Sequence, residues 1–172
     1  MSMKKIKNLK VVVGLLVAVA VVSGAVVFWP KSSQVFEIPT YTDTDYGFSF
    51  SAPQGYSASS FSDVEDTKTI LLGSDTDRSS LQVFVSAFDE DIVLTVERIN
   101  QEMPDLVVLD PQKVSAGEAE GVSFGSTNAL DTESREVWFV YKGNLYQISA
   151  PINKQTSPEL FDAIIKTWKW NE

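Results

Sequence analysis

The chain has no histidine and no cysteine in its 172 residues. Ser-His-Asp and Cys-His nucleophile systems are therefore excluded, as are zinc sites built from Cys and His. No disulfide can staple the fold, and no lipid-modified cysteine can anchor it. Basic residues are scarce as well. The first ten positions hold Lys4, Lys5, Lys7 and Lys10, and the remainder has ten Lys/Arg against all 23 Asp/Glu. A surface this acidic repels phosphate backbones and anionic headgroups, which argues against nucleic-acid binding and peripheral lipid binding. Carboxylate chemistry, a Ser-Lys pair and an oxygen-ligand metal site are what remain.

Charge is also missing from one long stretch. Val11 to Trp29, VVVGLLVAVAVVSGAVVFW, has no charged side chain and one hydroxyl, Ser23. As a helix rising about 1.5 Å per residue it would span roughly 28 Å, close to the ~30 Å hydrocarbon core of a bilayer. The four lysines before it hold the N-terminus in the cytoplasm, so the rest of the chain is carried across. Trp29 suits the interface and Pro30 stops the helix. The alternative is a cleaved secretory signal, with Ser23-Gly24-Ala25 as the small-residue cleavage site. The apolar run continues through Val26 to Trp29, which favours an uncleaved anchor. The expected organisation is a cytoplasmic basic tail (1-10), a transmembrane helix (11-29), a stalk linker (30-45) and one extracytoplasmic domain (46-172).

That domain has the size of a single fold able to bury a core without metals or disulfides. Tyr46, Phe48 and Phe50 alternate with small residues, which gives a strand with one buried face. Thr67 to Leu72 and Leu81 to Phe88 are further strands, the second with apolar residues on both faces. Ile92, Val96, Ile99 and Met103 recur at helical spacing before Pro104, so Ile92 to Met103 reads as a helix. Pro111 to Gly117 and Ala119 to Thr127 read as a hairpin around Gly117-Glu118. Glu136 to Lys142 and Leu145 to Ala150 form a second hairpin around Gly143-Asn144. A helix from about Ser157 to Trp168 closes the chain, with Thr156 and Glu159 at capping-box spacing and Leu160, Phe161, Ile164, Ile165 and Trp168 as its stripe. The expected fold class is α+β, mainly antiparallel, with helices covering the sheet.

The opening strand GFSFSAPQGY, the central helix ending at a proline, the hairpin EVWFVYKGNLYQISA and the helix ending IIKTWKW resemble the Mog1/PsbP-like superfamily across Tyr46 to Trp170. That resemblance implies a non-enzymatic binding or assembly protein. No functional residue is carried over, since no ligand motif of the family is matched here.

Gly121 to Gly125, GVSFG, matches the G-x-S-x-G elbow of α/β-hydrolases, but it falls inside a predicted strand in a chain without histidine. Lys142, Lys154 and Lys166, in polar or turn settings, do not suit a Ser-Lys mechanism, which needs a lysine neutralised by burial. Acidic pairs recur at Asp43/Asp45, Asp63/Glu65/Asp66, Asp75/Asp77 and Asp89/Glu90/Asp91. Solvated turn charges are the favoured reading of these pairs; if one binds calcium, it is Asp75 and Asp77, in a loop able to fold around an ion. Trp138, Trp168 and Trp170 are the candidate lining of a ligand groove between sheet and last helix, with core packing as the favoured reading of the three. The reading assigns no catalytic residue and no cofactor. It expects a protein partner for a membrane-anchored extracytoplasmic interaction module, with a small-ligand or calcium-binding domain as the alternative.

Overall fold

The computed structural model describes residues 40-62, 66-74, 80-127, 133-152 and 158-171. All belong to one compact unit, Glu37–Glu172. The expected transmembrane helix over 11-29, Lys154 and the Asp75/Asp77 pair lie outside the described residues. Among the described residues, no helix is long and apolar enough to cross a membrane.

Among the described residues the elements follow in the order β1 (Thr40–Asp43), β2 (Phe48–Ser51), β3 (Tyr56–Phe61), β4 (Thr67–Ser74), β5 (Ser80–Ala87), α1 (Val96–Glu102), β6 (Val107–Ala116), β7 (Ala119–Thr127), β8 (Glu133–Tyr141), β9 (Asn144–Pro151), α2 (Pro158–Thr167) and β10 (Lys169–Trp170). Seven strands form one sheet in the order β3-β4-β5-β9-β8-β7-β6, and β1-β2-β10 form a second, small one. Every pairing is antiparallel. The α+β, mainly antiparallel expectation holds.

Strand alternation divides the large sheet into two apolar layers. Leu81, Val83 and Val85 of β5, Val137 and Phe139 of β8, and Tyr146 and Ile148 of β9 point to one face. There they pack with Phe48 and Phe50 of the small sheet and with Leu160, Phe161 and Ile164 of α2. Thr167 ties that layer together: its hydroxyl accepts from the Ser51 backbone N–H at 2.9 Å and donates to the Ala163 carbonyl at 2.7 Å. The opposite face carries Val122, Phe124, Trp138 and Val140, packed against Leu94 and Ile99. Only this β7-β8 side is filled by α1. On the β3-β4 side of the same face, Phe61 is 42% and Leu71 38% exposed, so among the described residues the expected cover of the sheet by helices is partial.

Several boundaries move, each for a local reason. The stretch 40-45, read as stalk, instead forms β1 and its turn. Thr40 to Asp43 pair with Ser51 to Phe48, and Asp43 is buried. The central helix starts at Val96 rather than Ile92, because Thr95 is extended (φ -121°, ψ 164°) and its side chain accepts from the Arg98 N–H. That N-cap leaves 92-95 outside the helix. Strand β6 starts at Val107, ahead of Pro111, since a bulge between Leu109 and Gln112, with Asp110 at φ 46°, accommodates the proline inside the strand. The last hairpin turns on Lys142-Gly143, one residue earlier than expected. Both take positive φ (49° and 73°) and Tyr141 pairs with Asn144. Asn144 supports the turn by donating from Nδ2 to the Lys142 carbonyl at 3.2 Å. Trp168 falls just beyond α2.

Candidate interaction groove

The three tryptophans proposed from sequence do not meet. Trp138 belongs to the α1 layer, whereas Trp168 and Trp170 lie on the opposite face. Trp168 stacks on Phe48 (centroids 4.5 Å, 11°), and Trp170 stacks on Tyr141 (3.8 Å, 20°) while donating from Nε1 to the Ala116 carbonyl at 3.2 Å. These rings fill the core between the two sheets. Ser123 of the GVSFG segment sits mid-strand, paired with Val137 and Gln112, not at the strand-to-helix turn a nucleophile elbow needs.

Two buried carboxylates were not foreseen. Asp43 has a fully covered side chain and meets Lys68 Nζ at 2.7 Å. It also accepts from the Tyr41 hydroxyl and from the backbone N–H groups of Asp45 and Tyr46. Burial alone would raise its pKa, but the Lys68 contact and these donors together hold it below the ordinary carboxyl value. Lys68 is desolvated as well, yet its hydrogen bonds to Asp43 and Asp45 raise its pKa. It is thus locked in the charged form, the reverse of what a lysine base requires. The Asp43/Asp45 pair is accordingly a lysine partner. Glu90, of the Asp89/Glu90/Asp91 run, pairs with Arg98 at 3.0 Å.

Glu136 is 7% exposed. Its partners are neutral: Oε1 accepts from Ser134 Oγ at 2.6 Å and Ser126 Oγ at 3.3 Å, and Oε2 from Trp138 Nε1 at 3.1 Å. Burial raises its pKa by more than these hydrogen bonds lower it. A raised folded-state pKa means that the group's contribution is fully present below the unfolded carboxyl range and is lost as pH rises through the folded value. Glu136→Gln is therefore expected to raise the melting temperature at pH 7, by on the order of 1 kcal/mol or roughly 3 °C. The gain should vanish below about pH 4, where both states are protonated. Melting curves at the two pH values check this; a fall at pH 7 would show that the carboxylate is favourable where it lies.

A feature shaped for a guest lies where α1 begins. A groove of about 570 Å³ runs between residues 93-97 on one side and the β6-β7 hairpin on the other. Its floor comes from Leu94 and Val122, both buried in the α1 layer. Its rim carries Val93, 59% exposed. The register pairs Lys113 with Val122 and Ser115 with Glu120, which puts these side chains on the α1 face. Consecutive residues Pro111 to Ser115 line the groove, so it also follows the backbone of β6, the end strand of the sheet. Glu97, in the first turn of α1, Glu120 and Lys113 take part in no ion pair among the described residues. Hydrogen bonds from its own backbone N–H and from Thr95 hold the Glu97 carboxyl below its ordinary pKa, so it is charged at neutral pH. The sequence signal was Thr95 followed by Val96-Glu97, an N-cap with an acid in the first turn. The groove also needs the neighbouring hairpin, which no local pattern reveals.

A central antiparallel sheet with a small sheet and a closing helix on one face and a short helix on the other defines a PsbP-like α+β fold. The solution structure of cyanobacterial PsbP (CyanoP) from Synechocystis sp. PCC 6803 superposes with a TM-score of 0.52 at 12% identity, over 77% of this chain and 92% of that one. A crystal structure from Bacteroides thetaiotaomicron VPI-5482 superposes with a TM-score of 0.51, also at 12% identity, over 77% of this chain and 48% of that one. The chain thus spans about half the length of the second protein. At this identity the likeness is one of fold. No protein-family model matches the sequence, and a comparison with curated proteins finds no match.

Proposed function

We propose that the chain is a membrane-tethered extracytoplasmic module that binds a partner protein without catalysing a reaction. The observation that carries this reading is the groove: an apolar floor, an exposed valine at its rim and three charged side chains with no ion-pair partner among the described residues. Such a site is equipped for recognition. The PsbP-like fold supports it, since that superfamily contains non-enzymatic assembly proteins. Val11 to Trp29 supplies the tether, with Lys4 to Lys10 inside and the fold outside.

The absence of native cysteine gives a clean topological test. Ser59→Cys, on an exposed strand, is expected to react with a membrane-impermeant maleimide on intact cells, and the labelled chain is expected to stay with the membrane through alkaline extraction. Labelling only after permeabilisation would contradict the orientation. Release by alkali would contradict the anchor, and a mass beginning at Val26 would identify cleavage after Ala25.

A second reading, small-ligand binding, rests on the groove's volume, which falls in the range of ligand pockets. A reproducible rise in melting temperature of the full chain with one small molecule, or with Ca²⁺, would favour it.

A further inference from the structure

The groove's shape and charge specify its occupant more narrowly, on the reading that the chain binds a partner protein. Its lining is three runs of consecutive chain, 93-97, 111-115 and 120-122, so extended backbone of β6 and β7 borders the space. It matches an extended peptide better than a compact ligand. The floor of Leu94 and Val122 is apolar, while Glu97 and Glu120 outnumber Lys113. The surrounding chain is acidic too, with ten Lys/Arg against 23 Asp/Glu after residue 10. Arg98, the cation beside Glu97 in sequence, is already taken by Glu90 and Glu102.

A long basic side chain satisfies both demands at once, laying its methylene stem on the apolar floor and its charged head against the carboxylates. Beyond the Asp110-Pro111 bulge, residues Gln112 to Ser115 belong to a strand with no further strand outside it among the described residues. That edge offers backbone groups to an extended guest. We infer that the groove between residues 93-97 and β6 binds an extended segment of the partner protein that presents Arg or Lys between apolar residues. The chain's own Lys4 to Lys10 lie on the other side of the membrane in the proposed topology.

The test uses the full-length chain in a neutral detergent and two fluorescent probes, acetyl-Val-Arg-Val-Arg-Val-amide and acetyl-Val-Glu-Val-Glu-Val-amide, followed by anisotropy. The Arg peptide is expected to bind saturably and at least about tenfold more tightly than the Glu peptide, with affinity falling as salt rises. Glu97→Gln with Glu120→Gln should weaken it roughly three- to tenfold, the modest loss expected of two exposed charge contacts. Val93→Ser, which removes the apolar rim contact without adding charge, should also weaken it. Glu133→Gln, at the far end of the β7-β8 ladder opposite Thr127, should leave it unchanged. Equal affinity for the two peptides, no effect of the double substitution, or equal weakening by Glu133→Gln would overturn the inference. If it falls while a crosslinker elsewhere on the domain still captures a partner, the module reading stands and only the groove is wrongly assigned.

Discussion

Gly121→Ala is expected to lower the melting temperature by about 10 °C, a loss of roughly 3 kcal/mol. Gly121 is paired with Phe139 across β7 and β8. A methyl group there would press on the Trp138 carbonyl oxygen and lie 2.6 Å from Phe139 Cβ and 3.0 Å from Phe139 Cα. Most of these are backbone or near-backbone atoms that no rotamer change can move. Relief requires opening the β7-β8 ladder, which carries Phe139 into one apolar layer and Trp138 into the other. The control lies four residues on. At Gly125 the nearest atom to an added Cβ is 3.5 Å away, so Gly125→Ala should change stability by no more than about 0.5 kcal/mol. Similar melting temperatures for the two variants would mean that the strands are not held this closely. The same geometry explains why GVSFG carries glycine at its first position: the residue admits a neighbouring strand and exposes no nucleophile.

Lys68→Met should cost about 3–5 kcal/mol at pH 7, the range for stranding one member of a buried ion pair. Asp43 would remain with its side chain fully covered and its 2.7 Å cationic partner gone. Since Asp43 also holds the turn between β1 and β2 through the N–H groups of Asp45 and Tyr46, the loss would reach the small sheet. The pH dependence has a definite sign. The folded-state pKa of Asp43 is depressed, so its contribution is present above the unfolded carboxyl value and disappears as pH falls through the folded one. In Lys68→Met that benefit is already absent, and protonation relieves the stranded charge. The gap between wild type and variant should therefore be widest near pH 7 and narrow toward pH 3. Adding Asp43→Asn to Lys68→Met should recover part of the loss, because the amide keeps an acceptor for the turn without the charge. A gap independent of pH would assign Lys68 to packing alone.

What could be read from the sequence was whatever repeats locally. Phe48 and Phe50, the β8-β9 hairpin and the stripe Leu160, Phe161, Ile164 each carry their burial pattern in a few adjacent residues, and all three became core. Strand β3, YSASSF, was invisible: an edge strand exposed at nearly every position has no apolar alternation to reveal it. The pairing of Trp170 with Phe48 joins residues too far apart for any local period to register. The same holds for Asp43 and Lys68, whose residues looked like a stalk acid and a strand lysine until the fold put them in contact. The tryptophans went to the core, as the favoured reading had it, but to two different layers. Trp138 alternates with Phe139 along one strand, so its side chain had to face away from the layer that receives Trp168 and Trp170. At the groove, the helix start at Thr95 was missed because the apolar spacing from Ile92 ran through it, and Lys113 and Glu120 come to the groove only through the β6-β7 register.

The measurement that bears most directly on the account is site-specific photo-crosslinking of the full-length chain in its own membranes, with a benzophenone side chain placed at Val93 and, separately, at Phe61. Val93 stands at the groove rim and Phe61 on the open sheet face. One reproducible protein adduct is expected from Val93, reduced in yield by Glu97→Gln with Glu120→Gln, and none of it from Phe61. No adduct from either position, with the chain folded and in the membrane, would contradict the claim that it is an interaction module.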